Sequence, residues 1–163
     1  MSTHCGNIDA GAVLVMMDYE DYDSSEMKEV LFNESGLQAV SEVSSDTRDL
    51  IEQMDAGNEK ATMALDMYAH TIKKYIGAYI AILGGLDLIV FTATVGERSN
   101  KLREKICHGL EHLGIKLDLD LNNKLNEHEG YINKPGGEVS ILIKKTDEMA
   151  EMARRAYRLL ENK

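Results

Sequence analysis

The sequence predicts an α/β fold, rich in helix, around a small and partly parallel sheet. Two short runs, LDLIVFT at 86–92 and VSILI at 139–143, are β-branched and apolar on both faces, the pattern of strands buried within a parallel sheet. Each leads through a polar turn into a segment of helical periodicity, so strand–loop–helix occurs twice and right-handed crossovers make the pair parallel. The rest reads as helix. Five or six helices have only these two good strands to cover, which implies further strands upstream.

Taken in order, residues 1–11 are small and polar and open onto a short apolar helix at 12–19. Asp23 followed by Glu26 resembles a capping box, and Met27, Val30 and Leu31 then repeat at helical spacing until Glu34-Ser35-Gly36. Ser44-Ser45-Asp46 starts the next helix, through Leu50, Ile51 and Met54, and Gly57-Asn58 breaks it. The longest helix carries Ala61, Ala64, Leu65, Tyr68, Ile72, Tyr75, Ile76, Tyr79, Ile80 and Leu83 at three- and four-residue steps. That wide stripe is expected of a helix laid across a core. Gly84-Gly85 closes it. After the first strand, Ser99 is the expected N-cap of a helix whose Leu102, Ile106, Leu110 and Leu113 face inward until Gly114. Residues 115–137 form a polar excursion with some strand expected at 115–119. Thr146 is expected to cap a last helix, with Met149, Met152, Ala153, Ala156, Leu159 and Leu160 facing inward. The whole reads as a single, incomplete domain.

Charge and cysteine usage narrow the function classes. With 18 basic and 28 acidic residues the formal charge is −10, which repels a nucleic acid on average. A small anion such as a nucleotide still binds where a few cations and backbone N–H groups converge. Cys5 and Cys107 lie in no C-x-x-C pair, as expected of a reducing compartment, and the N-terminus lacks a signal-peptide pattern. No run is long and apolar enough to span a membrane. The cytoplasm is the expected location.

The most informative junction is Ala93-Thr94-Val95-Gly96-Glu97-Arg98 between the first strand and Ser99. A strand end, a tight turn and a helix start together make the place where α/β folds hold phosphates. Gly96 permits a close backbone approach there, and Glu97 either binds Mg²⁺ or holds the loop; a purely structural turn is the alternative. The second junction, Thr146-Asp147-Glu148, brings carboxylates to the same sheet edge if the strands are parallel. They either serve Mg²⁺ beside a nucleotide's phosphates or complement the helix dipole. Asp46, Thr47 and Arg48 either meet a ribose and an adenine or form an N-cap with an exposed ion pair. His4 and Cys5 are adjacent, which turns their side chains apart and argues against a Cys–His dyad. His108 and His112 are four residues apart, but no H-E-x-x-H arrangement accompanies them.

Five segments, MSTHCGNIDAG at 1–11, SGLQAVSEVSSDTRDL at 35–50, ALDMYAHTIKKYIGAYIAILGGLDLIVFTATVGERS at 64–99, GLEHLGIKLD at 109–118 and TDEMAEMARRAYRLL at 146–160, resemble the C-terminal part of the acetate/propionate kinase family in order and spacing. The resemblance implies part of an actin-like ATPase (ribonuclease H-like) C-terminal domain, a homodimer, and phosphate transfer between ATP or ADP and a short-chain carboxylate with Mg²⁺. Carried over by position, Asp46, Thr47 and Arg48 fall on the adenosine-contacting segment. Thr94, Val95, Gly96, Glu97 and Arg98 fall on the ATP loop, and Glu148 on the carboxylate that serves Mg²⁺.

The departures bear on competence. His4 stands at the position of the family's transition-state arginine, a permanent forked cation that histidine does not imitate. Thr94 replaces a glycine of the ATP loop, placing a β-branched side chain where the backbone approaches phosphate or takes a positive φ. Arg98 replaces an asparagine. The family's N-terminal domain, with its carboxylate pocket, would precede Met1. The expectation is a nucleotide-binding part that is inactive alone and is completed by a separately encoded N-terminal half. The alternative is a non-catalytic nucleotide-binding or dimerising relic of an interrupted gene.

Overall fold

Aspartate and asparagine side chains at the chain's turns decide where most helices begin. In the computed structural model, which describes residues 1–161, the chain divides into two units, Met1–Tyr79 and the residues from Ile80 onward. In the first unit Asp9 accepts from the Gly11 N–H and starts α1 (Ala10–Glu20). Asp23 and Glu26 close the predicted capping box of α2 (Ser24–Asn33), satisfying helix-end donors reciprocally. A short α3 (Gly36–Ser41), which the sequence did not announce, follows. Asp46 caps α4 (Thr47–Asp55), and Asn58 accepts from Lys60 and Ala61 to start α5 (Glu59–Leu83).

The first five residues are tied to the α2–α3 corner by main-chain bonds. Cys5 N donates to Leu31 O, Ser35 N to Thr3 O, Leu37 N to Met1 O and Gln38 N to Ser2 O, all at 2.9–3.0 Å. Gly36 makes this close approach possible. Its φ is +64°, and a Cβ there would lie 2.2 Å from Met1 O and 2.8 Å from His4 O. The unit's core is Met27, Leu37, Leu50, Ala61, Ala64, Leu65 and Ala69.

The second unit holds the sheet. Strands β1 (Leu88–Phe91), β2 (Gly130–Tyr131) and β3 (Ser140–Ile143) lie in the order β1-β3-β2. β1 and β3 are parallel, Leu88 opposite Ser140 through Phe91 opposite Ile143, as the repeated strand–loop–helix pattern predicts. β2 is antiparallel to β3 and lies in the polar excursion, where an isolated Leu117–Asn133 bridge takes the place of the strand expected at 115–119. Between β1 and Ser99 the chain forms one helical turn, α6 (Ala93–Arg98), and Ser99 accepts from Leu102 N at 3.3 Å to start α7 (Asn100–Cys107). A 3₁₀ turn at Glu111–Leu113 follows, so the helix expected to reach Gly114 is broken after Cys107. Asp118 caps α8 (Leu119–Lys124), and α9 (Glu148–Glu161) ends the described chain. Phe91, Leu102, Ile106, Cys107, Ile115, Ile132, Ile141 and Ile143 form this unit's core.

Three expectations about burial are corrected. β1 is covered on one face only: Phe91 is buried, whereas Leu88 and Val90, on the opposite face, are 41% and 45% exposed. In α5 the apolar stripe is buried only through its first part; Tyr75, Tyr79 and Leu83 are exposed. On α9, Met149, Met152, Ala153, Ala156, Leu159 and Leu160 all face solvent. An apolar face is buried only when another layer covers it, and the described residues supply none there. The cap of α9 is also one residue later than expected: Asp147 Oδ1, rather than Thr146, accepts from Ala150 N.

Gly36→Ala is expected to dislodge the N-terminal segment, since backbone oxygens cannot yield to the added methyl group. Amide exchange at Leu37 and Gln38 should rise sharply, with a stability loss of at least about 1–3 kcal/mol. Unchanged protection at both amides would contradict this packing.

Candidate functional site

The two strand-end turns of the second unit are joined by one buried carboxylate. Glu97, in α6, is 8% exposed, and its Oε1 accepts from the Thr146 main-chain N–H at 3.0 Å and from Thr146 Oγ1 at 3.3 Å. Lys144 N donates to Phe91 O at 2.9 Å just ahead of it. The Gly96 and Glu148 turns therefore sit side by side at the carboxyl end of the parallel strands. Through these two bonds Glu97 ties its own turn to the one that precedes α9.

Gly96 is explained by its own strand. A Cβ there would lie 3.2 Å from Phe91 C and 3.4 Å from Phe91 Cα, so the missing side chain lets α6 fold back onto the end of β1. The positive φ of the turn falls at Ala93, at 61°, one residue before Thr94. Thr94 and Arg98 are exposed and Val95 is half-buried, so α6 presents the polar Thr94 and Arg98 to solvent and packs Glu97 inward.

A residue that sequence reasoning missed supports this turn from below. Arg103, in α7, has no exposed surface. Its Nη1 donates to Gly96 O at 2.8 Å and Glu97 O at 3.0 Å, where the last carbonyls of α6 lack helical donors. Nε donates to Asn122 Oδ1 at 2.7 Å and Nη2 to Asn122 O at 3.1 Å and Asn126 Oδ1 at 3.3 Å. Burial lowers its pKa to about 10, against an opposing influence of Cys107, so the guanidinium stays charged at neutral pH. The available signal was its place beside Leu102, Ile106 and Cys107 on the inward side of the helix.

Glu148, the first residue of α9, is exposed, and Asp147 beside it serves the helix as its cap. Among the described residues no group of three or more His, Cys, Asp or Glu could hold a metal ion, His108 and His112 included. A cleft of about 380 Å³ in this unit is lined by Glu104, Glu111, Lys116 and Lys134 with Leu117 and Leu119; none of the predicted site residues lines it.

The remaining site residues belong to the first unit. Asp46 accepts from the Arg48 N–H at 2.8 Å and pairs with the Arg48 guanidinium, Nη2 to Oδ2 at 2.6 Å. Arg48 is 81% exposed, so the pair is open to a ligand. The Arg48 side chain, then its main-chain N–H, holds the Asp46 carboxyl at about 2, below its ordinary 3.8. Thr47 is half-buried at the start of α4. His4 is exposed and meets Phe32 edge-on, ring centroids 5.2 Å apart.

Comparison with known proteins gives this arrangement its place. The model of the acetokinase family matches residues 1–154. The chain belongs to the acetokinase family. It is 45% identical over its whole length to the acetate kinase of Dictyoglomus turgidum and 37% identical to that of Parabacteroides distasonis, covering 40% and 41% of those proteins. The crystal structure of Porphyromonas gingivalis acetate kinase superposes on 98% of the chain with a TM-score of 0.91 at 38% identity, and 40% of that protein is covered. For the Entamoeba histolytica acetate kinase the TM-score is 0.88 at 32% identity, over 99% of this chain and 42% of that one. The fold is thus the C-terminal part of the family's actin-like ATPase architecture, and the chain spans about 40% of the length of these relatives.

Two measurements follow. Glu97→Ala removes the acceptor of the Thr146 N–H, so that amide should exchange freely, with a loss of about 1–3 kcal/mol; a protected Thr146 amide would contradict the link. Because the Asp46 pKa is lowered on folding, its stabilising pair is intact above about pH 4 and lost as pH falls through about 2. Carboxyl NMR should find the Asp46 midpoint near 2 and see Arg48→Ala raise it toward 3.8; no movement would mean the pair is absent in solution.

Proposed function

We propose that this chain is the nucleotide-handling part of a cytoplasmic ATP:short-chain-carboxylate phosphotransferase and does not turn over on its own. The observation that carries the reading is the Glu97–Thr146 link, which fixes two strand-end turns side by side at the sheet edge where α/β folds hold phosphates. On this reading the turn from Thr94 to Arg98 receives the phosphates of ATP or ADP, with the exposed Arg98 supplying a cation. Glu148 serves Mg²⁺. One exposed carboxylate suits that ion, which binds through one or two carboxylates and the substrate's own phosphates rather than in an all-protein cage. Glu97 is committed to Thr146 and is not assigned to the ion. In the first unit, Asp46, Thr47 and Arg48 are assigned to the adenosine.

The residues that fit a nucleotide are accompanied by ones that oppose turnover. His4, exposed against Phe32, offers one ring nitrogen at a time in place of a forked guanidinium, which weakens charge stabilisation on a phosphoryl group in transfer. Thr94 adds a β-branched side chain to the phosphate turn. These two residues favour a second reading as well, in which the chain binds nucleotide or dimerises without catalysis.

Calorimetry and a hydroxamate assay separate the possibilities. ADP with Mg²⁺ is expected to bind, and Thr94→Gly to tighten it; no binding heat would sink the nucleotide assignment. With acetate, ATP and Mg²⁺ the chain alone should form no acetyl hydroxamate, and turnover at an ordinary enzyme rate of about 1–10³ s⁻¹ would overturn its incompleteness.

A further inference from the structure

The cleft of about 380 Å³ in the second unit draws its acidic and its basic residues from different elements. Glu104 lies one helical turn before His108 at the end of α7, and Glu111 opens the 3₁₀ turn. Glu111 Oε1 accepts from the Gly109 main-chain N–H at 3.1 Å. Its own main-chain N–H, then that of Gly109, holds the Glu111 carboxyl below the usual carboxylate range, so it is charged at neutral pH. Lys116 and Lys134 come from the polar excursion. Lys134 N donates to Lys116 O at 2.8 Å beside the antiparallel Leu117–Asn133 bridge, which sets the two lysines directly opposite each other. Like charges in that position are destabilising. Among the described residues neither lysine takes part in an ion pair. An anionic group between them relieves the repulsion. Apolar surface accompanies these charges, since Leu117 is half-buried and Leu119 is 47% exposed.

We infer that this cleft binds a free α-amino acid with an aliphatic side chain. Its carboxylate lies between Lys116 and Lys134, its ammonium at Glu104, and its side chain on Leu117 and Leu119. Small-molecule sites are clefts of roughly 300–1,000 Å³ that combine apolar lining with a few placed polar groups, and this one falls within that range. A ligand of one sign would bring a like charge against either the lysines or the glutamates, which costs affinity; a zwitterion pairs with both. A nucleotide is excluded on the same ground, because its phosphates would suit the lysines and meet Glu104 and Glu111. Glu111 is already held by Gly109, which leaves Glu104 to take the ammonium. None of the residues assigned to ATP or ADP lines the cleft, so the inference stands apart from the nucleotide reading.

The test titrates the full chain with L-leucine and follows its main-chain amide resonances. Those of Glu104, His108, Glu111, Leu117 and Lys134 should shift along one saturable curve. Two analogues each remove one charge: leucinamide lacks the carboxylate, and 4-methylpentanoate lacks the ammonium. Each should bind the unaltered chain at least about tenfold more weakly than leucine. Lys116→Met should weaken leucine by about tenfold and leave leucinamide unchanged. Glu104→Gln should weaken leucine to a similar extent and leave 4-methylpentanoate unchanged. Both side chains are exposed, so the rest of the amide spectrum should keep its positions in either variant. The analogues decide the matter on the unaltered chain if a variant does not fold. No saturable shift up to the solubility limit of leucine, or shifts confined to residues outside the cleft, would overturn the proposal. So would 4-methylpentanoate binding as tightly as leucine, which would make the cleft a site for plain carboxylates. Displacement of leucine by ADP with Mg²⁺ would overturn it too, because the cleft would then belong to the nucleotide.

Discussion

The second unit depends on the Glu97 carboxylate at the end of the parallel strands. A largely buried carboxylate needs donors, and the donors it has are the main-chain N–H and hydroxyl of Thr146, 49 residues away in sequence. That single acceptor turns two independent strand-end turns into one surface. The parallel pairing of β1 and β3 brings both turns to the same edge, and the 97–146 link sets their spacing. Without it, α9 would start from a turn held by the end of the sheet and by Glu129, which accepts from Lys145 N.

Two further contacts give Glu97 its position. Gly96 has no side chain because the Phe91 backbone occupies that space, so α6 packs back against the strand that precedes it. Arg103 then closes the C-terminal end of α6, taking Gly96 O and Glu97 O with one nitrogen while its others hold Asn122 and Asn126. Hydrogen bonds from a charged donor are roughly twice as strong as neutral ones, which suits a turn that must hold its shape. The turn's exposed side carries Thr94 and Arg98.

Much of this was legible in the residues. Helix starts at Asp23, Asp46 and Ser99 were read from side chains that accept main-chain N–H groups, and the parallel strands from two β-branched runs, because these signals are local. The adjacency of the Gly96 and Glu148 turns followed from the parallel pairing. What escaped was set by distant partners. Arg103 sits beside inward-facing residues of its helix, but its role shows only when Asn122 and Asn126 are brought against it, and α6 reads as a loop until Arg103 caps it. The faces of β1 and α9 were misjudged for a related reason: periodicity marks a face that seeks cover without saying whether the cover lies in these residues.

The most direct test of the central claim is an amide NMR titration of the chain with ADP and Mg²⁺. If the two turns form one phosphate-facing surface, the resonances of Thr94–Arg98 and of Thr146–Glu148 should shift together, along one saturation curve. Shifts confined to other parts of the chain, or one turn responding while the other stays silent, would contradict the account.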